Sequence, residues 1–118
     1  MKYLLMLYAV ESVGLQMPPE EMAKFMGQMF AYREALAKAG KFISTAPLMP
    51  TTEACTLRLE DGQTRVQDGP YADTREQFGG YYLIEADDMD EARTWAARCP
   101  AATWGTIEIR QLRDYPGT

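Results

Sequence analysis

The side chains best equipped for chemistry in this sequence are the carboxylates Asp68, Asp73 and Glu76, the phenols Tyr71, Tyr81 and Tyr82, and the guanidinium of Arg33. A carboxylate at a pocket mouth, its pKa raised by burial, can act as a general base. The tyrosines can donate protons or hydrogen bonds, and the arginine can hold an anion. Asp68 and Glu76 are therefore the candidate catalytic residues, and Tyr71, Tyr81, Tyr82 and Arg33 the candidate ligand-binding set. The chain has no histidine. That removes the usual neutral-pH base and the commonest transition-metal ligand, so neither a hydrolase triad nor a zinc site is expected. No metal and no cofactor follow from the residues present.

Each candidate has a plainer reading beside the chemical one. Asp68 opens a DGPY turn, where its carboxylate would accept backbone N–H bonds as Gly69 and Pro70 reverse the chain. Asp73 and Glu76 sit in a charged loop, where such residues are mostly solvated. Tyr71 reads as an anchor of that loop. Gly79-Gly80 is no phosphate-binding loop, because no helix N-terminus follows it, and it reads as a bulge or a close backbone approach.

These residues need a scaffold, and 118 residues make one domain, 1–118, with one core. The chain is 47% hydrophobic and 25% charged, ordinary globular values. Its net charge is -5 and no window clusters Lys and Arg, which argues against direct nucleic-acid or anionic-membrane binding. Cys55 and Cys99 lack CxxC spacing and read as free thiols in apolar surroundings, suited to a reducing cytoplasm. The opening MKYLLMLYAV ends at Glu11 without a small-residue cleavage site, so it reads as a buried strand rather than a signal peptide. No stretch has the roughly 20 apolar residues of a membrane span.

Residues 2–9 are apolar on both alternating faces, Tyr3, Leu5 and Leu7 on one and Leu4, Met6 and Tyr8 on the other, as in a central strand. A loop then leads to a helix that starts at Pro18 and Pro19, runs to Ala39 and stops at Gly40. Its stripe of Met22, Phe25, Met26, Met29, Tyr32 and Leu36 fits the core better than a ligand pocket. Residues 42–49 form a second strand. Residues 54–60 and a partner ending at Gln67 form an exposed two-strand ribbon around Asp61-Gly62, with Cys55, Leu57 and Leu59 inward. Tyr71 and Phe78 anchor the loop 68–80. Residues 81–86 form a strand, Asp88 and Glu91 make a capping box for a helix ending at Pro100, and 104–112 supply the last strand.

The order strand, helix, strand, ribbon, strand, helix, strand predicts an α+β fold of the ferredoxin-like, split βαβ kind, with two helices on one face of an antiparallel sheet. In that topology the central strands, residues 2–9 and 81–86, are apolar on both faces while helices cover one. The other face would be a large apolar patch, and a second copy of the chain is its natural cover. A homodimer is expected.

With DGPY, REQFGGYYLIEADDMDEARTWAARCP and GTIEIRQL in view, the chain resembles the YCII-related family and, within it, the DGPF-domain subgroup. The resemblance covers nearly the whole chain and implies a dimeric α+β barrel in which two sheets pack face to face. It also implies an association with extracytoplasmic-function sigma factors. Two departures stand out: Tyr71 replaces the motif's phenylalanine, and the His-Asp pair proposed as catalytic in other such proteins has no counterpart here.

The first functional reading is a small-molecule-binding or regulatory module whose pocket lies between the sheet and the DGPY loop. Its rival is a cofactor-independent enzyme of small cyclic or aromatic acids, a lactone isomerase or dehydrochlorinase, on the analogy of similar dimeric barrels. A third is a pure interaction role with a sigma factor, which requires an exposed apolar patch.

Overall fold

Alternation along Lys2–Ala9 builds β1, whose Tyr3 and Leu5 are fully buried while Leu4, Met6 and Tyr8 on the opposite face stay partly exposed. The computed structural model describes residues 1–115; residues 116–118 of the expected domain lie outside the described residues. After β1 come a short helix α1 (Glu11–Leu15), the long helix α2 (Pro19–Lys38) and β2 (Phe42–Pro47). A ribbon of β3 (Cys55–Glu60) and β4 (Gln63–Asp68) precedes β5 (Gln77–Glu85), helix α3 (Met89–Arg98) and β6 (Thr106–Gln111). The main sheet runs β2-β5-β1-β6 with every neighbouring pair antiparallel, the ferredoxin-like order with β1 and β5 at the centre.

The core lies between this sheet and α2 and α3. Tyr3, Leu5, Tyr82 and Ile84 from the sheet meet Tyr32 and Leu36 of α2 and Ala92, Trp95 and Ala96 of α3. The capping of α3 is as its sequence specifies: the Asp88 Oδ1 accepts from the Glu91 N–H at 2.8 Å. Glu91 returns a bond one residue earlier than the standard box, its Oε1 accepting from the Asp87 N–H at 2.6 Å. Gly40 ends α2 at φ +71, the left-handed conformation that stops helices.

Several expectations need correction. Residues 11–15 are helical, not loop. No side chain caps that turn, and the tertiary bonds of Glu11 hold it instead. β5 begins at Gln77, four residues early, because the pairing skips Gly79: Leu7 lies opposite Gly80 and Tyr8 opposite Phe78. Gly79-Gly80 is thus the expected bulge, and Gly80 also backs closely onto β2. β2 stops at Pro47, and β6 spans only Thr106–Gln111. A Cβ on Gly105 would collide with the Tyr8 carbonyl oxygen, so the chain can enter β6 there only through glycine.

The ribbon is exposed as expected, but its apolar side chains are not inward. Its alternation and its Asp61-Gly62 turn, both at positive φ, are as predicted, but Leu57 and Leu59 are 60% and 71% exposed. Cys55 is exposed too, while Cys99 is buried as expected. The pattern has a face, and the ribbon has no helix of its own chain to set against it. It projects outward, which raises the radius of gyration to 16.4 Å, against about 13–14 Å for a compact chain of this length. The thinnest dimension, 18 Å, accommodates one sheet and one helix layer, with no third layer among the described residues over the open face of the sheet.

Candidate functional site

Helix α2 is two things in succession. Its C-terminal half is anchored: Leu36 is completely buried, and the Tyr32 hydroxyl donates to the Trp95 carbonyl at 2.7 Å. The Tyr32 ring also meets Tyr82 edge-on at 5.2 Å. Its N-terminal half is raised off the sheet. Trp104, after the 3₁₀ turn Pro100–Thr103, packs edge-on against Phe25 at 5.4 Å and lines the space beneath that half. Met22, Phe25 and Met29 are only half-buried there, and Met26 and Phe30 are exposed.

The result is a cleft of about 780 Å³ between the raised half of α2, the short α1 and the end of the sheet. Its α2 wall is Met22, Phe25, Met26, Met29 and Phe30; α1 and its flank add Val13, Gly14 and Met17. The floor is two rows of the helix-facing sheet surface, Leu7 with Gly80 and Pro47, and Tyr82 with Thr45. Gly80 lets β5 approach β2 closely in this floor, since a Cβ there would press within 3.2 Å of the Ala46 carbonyl. The stripe read as core is fully buried only at Tyr32 and Leu36, with Met29 packed against the core's edge. Its methionine-rich half lines the cleft, where the sequence favoured core.

Few polar groups enter. Both carboxylate oxygens of Glu11 are taken by Thr51, from its N–H at 2.6 Å and its hydroxyl at 2.7 Å. The Glu11 N–H donates to the Gln77 Oε1 at 2.9 Å, so α1 is tied to both neighbouring segments. The Thr45 hydroxyl donates to the Tyr81 carbonyl at 2.8 Å. Burial pushes the Tyr82 phenol above the ordinary tyrosine value, partly offset by the Thr45 hydroxyl and the Arg33 charge. Like any tyrosine it keeps its proton at neutral pH, and it can serve as a hydrogen-bond donor. Arg33 stands at the cleft with its guanidinium over the Phe42 ring, 4.9 Å from the centroid.

Of the residues singled out from sequence, Arg33, Tyr81 and Tyr82 come together at this cleft. Tyr81 borders it although register places it in the open-face row with Met6 and Ala46. The others are elsewhere. Asp68 ends β4 opposite Cys55 and is exposed, and its carboxylate accepts no backbone N–H. The turn is held instead by the Gly69 N–H on the Ala54 carbonyl at 2.7 Å and the Thr56 hydroxyl on the Gly69 carbonyl at 2.9 Å. Tyr71 does not anchor its loop, being 81% exposed at the base of the ribbon; Phe78 does, stacking on Tyr8 at 5.5 Å. Asp73 is exposed. Glu76 lies beside β6, its Oε2 accepting from the Thr106 hydroxyl at 3.3 Å and its Oε1 shut from solvent with no partner among the described residues.

A hollow of about 570 Å³ lies at the DGPY loop, where Pro70 and Tyr71 meet Cys55, Thr56, Leu57 and Arg58 of β3, but it opens on the ribbon rather than the main sheet, and no residue of that turn lines the larger cleft. Glu11, Phe30 and Trp104 were missed. The available signals were weak: a carboxylate following an apolar strand, and an aromatic just off the helix stripe.

A model of the YCII-related domain matches residues 1–116. An uncharacterised protein of Rhizobium meliloti (strain 1021) is 40% identical over 120 residues, spanning 99% of this chain and 97% of that one. Among solved structures, 5-chloro-2-hydroxyhydroquinone dehydrochlorinase from Burkholderia phenoliruptrix AC1100, in complex with 2,5-dihydroxybenzoquinone, superposes with a TM-score of 0.51. It is 17% identical, and the match covers 96% of this chain and 94% of that one. That likeness is one of fold.

Proposed function

The chain belongs to the YCII-related family, and we propose that it is a small-molecule-binding module, cytoplasmic and regulatory, whose ligand is a ring-bearing, largely apolar compound held in the cleft under α2. One observation carries this reading. The apolar stripe of α2 continues past the core and faces an open cleft of about 780 Å³, a size and lining typical of ligand sites. Methionine thioethers adapt to irregular shapes and make favourable contacts with aromatic rings, so a wall holding Met22, Met26 and Met29 suits a planar ring. The test is a panel of one- and two-ring compounds against aliphatic compounds of equal carbon number, read by thermal melting and calorimetry. Ring compounds should bind more tightly, and a ligand at a hundred times its Kd should add about 2.7 kcal/mol to stability. A panel in which no member binds contradicts the reading.

The rival reading, a cofactor-independent enzyme of small cyclic or aromatic acids, draws support from the fold shared with a dehydrochlorinase seen with a quinone. It also draws on Tyr82, a protonated donor at the cleft floor. Recovering the bound ligand after prolonged incubation separates the two: the binding module returns it unchanged.

The homodimer belongs to the same proposal. Leu4, Met6, Tyr8, Tyr81 and Leu83 form a continuous apolar strip on the open face, flanked by Glu108 and Arg110 of β6. A second copy packed there would give the dimeric barrel and bury more than about 1,000 Å². Sedimentation is expected to give a dimer at micromolar concentration, and Leu83→Glu, which places a charge in the strip, a monomer. A wild-type monomer would refute the assembly and leave the cleft untouched.

A further inference from the structure

The cleft carries two charged groups, and they are not equivalent. Glu11 has both carboxylate oxygens engaged by Thr51, which fixes it to the segment after β2. Arg33 has no carboxylate partner among the described residues. It is the one cation of the cleft, placed three and four residues beyond Phe30 and Met29 on α2 and therefore at the end of the same apolar wall.

Its environment also presents it. The Arg33 Cζ lies over the Phe42 ring, 4.9 Å from its centroid, a cation–π contact that holds the group while its N–H donors make no hydrogen bond among the described residues. A planar cation fixed in this way matches the two oxygens of a carboxylate and forms paired, charge-assisted hydrogen bonds. We propose that Arg33 is the anion anchor of this cleft and that the ligand is an aromatic monocarboxylate, its ring against the methionine wall and its carboxylate forked by the guanidinium. This rests on the cleft being the binding site. Tyr82 in the cleft lining adds a phenol hydroxyl that can donate to a ring substituent with a lone pair.

Calorimetry with 2-naphthoate and its neutral isostere 2-naphthamide, on the wild type, Arg33→Gln and Arg33→Lys, tests the assignment. Arg33 is exposed and glutamine is a good helix former, so the variants should melt close to the parent. The wild type should prefer the acid by roughly tenfold or more. Arg33→Gln should bind both compounds equally, and Arg33→Lys should keep only part of the preference, because an ammonium lacks the fork. Equal binding of acid and amide by the wild type, or a preference that survives Arg33→Gln, overturns the anion anchor while the cleft stands. Binding of neither compound overturns both.

Discussion

Leu36→Ala should destabilise the protein by about 2–5 kcal/mol, the range for truncating a fully buried leucine, of a total stability of about 5–15 kcal/mol. Leu36 is wholly buried among the residues joining α2 to β1, β5 and α3, and Tyr32 one turn earlier is tied to α3 through the Trp95 carbonyl. This half of α2 has no slack, so the lost methyls leave a cavity that neighbours cannot fill. Met26→Ala on the raised half removes a side chain already 55% exposed and should cost within about 0.5 kcal/mol. Urea unfolding of both variants reads the contrast. Equal losses would mean that α2 is core along its whole length and that the cleft closes in solution.

Met26→Trp should abolish binding in the cleft without abolishing the fold. The position is half-exposed and lines the cleft, so indole bulk has space outward and occupies the volume a ring-bearing ligand needs. Affinity for 2-naphthoate should fall a hundredfold or more while the melting temperature stays near that of the parent. A filled mouth excludes the whole ligand rather than removing one contact. A variant that binds as tightly as the parent would place the ligand elsewhere, the open face of the sheet first.

The scaffold was legible in the sequence because its signals are local or periodic. Two-faced apolarity identified β1 and β5 as central, Asp88 and Glu91 announced α3, and Gly40 closed α2. The site was legible only in part. Arg33, Tyr81 and Tyr82 were found, but a helix stripe has the same period whether it packs on a sheet or stands off it. Phe25 on the N-terminal half of α2 meets Trp104, about 80 residues away, and no spacing rule connects the two. The ribbon shows the same gap. Alternation at Cys55, Leu57 and Leu59 specifies a face but not whether anything lies against it. At the DGPY turn, Asp68 looked like an Asx turn, yet backbone bonds from Gly69 already close it and leave the carboxylate in solvent.

Eight methionines allow the central claim, that the cleft under α2 is the ligand site, to be tested in one titration. Methyl spectra of ¹³C-methionine-labelled protein, followed as 2-naphthoate is added, should show shifts at Met17, Met22, Met26 and Met29, which line the cleft. Met6 on the open face, Met49 after β2 and Met89 at the start of α3 should stay in place. Shifts led by Met6 or Met49 with the cleft methionines silent would contradict the account.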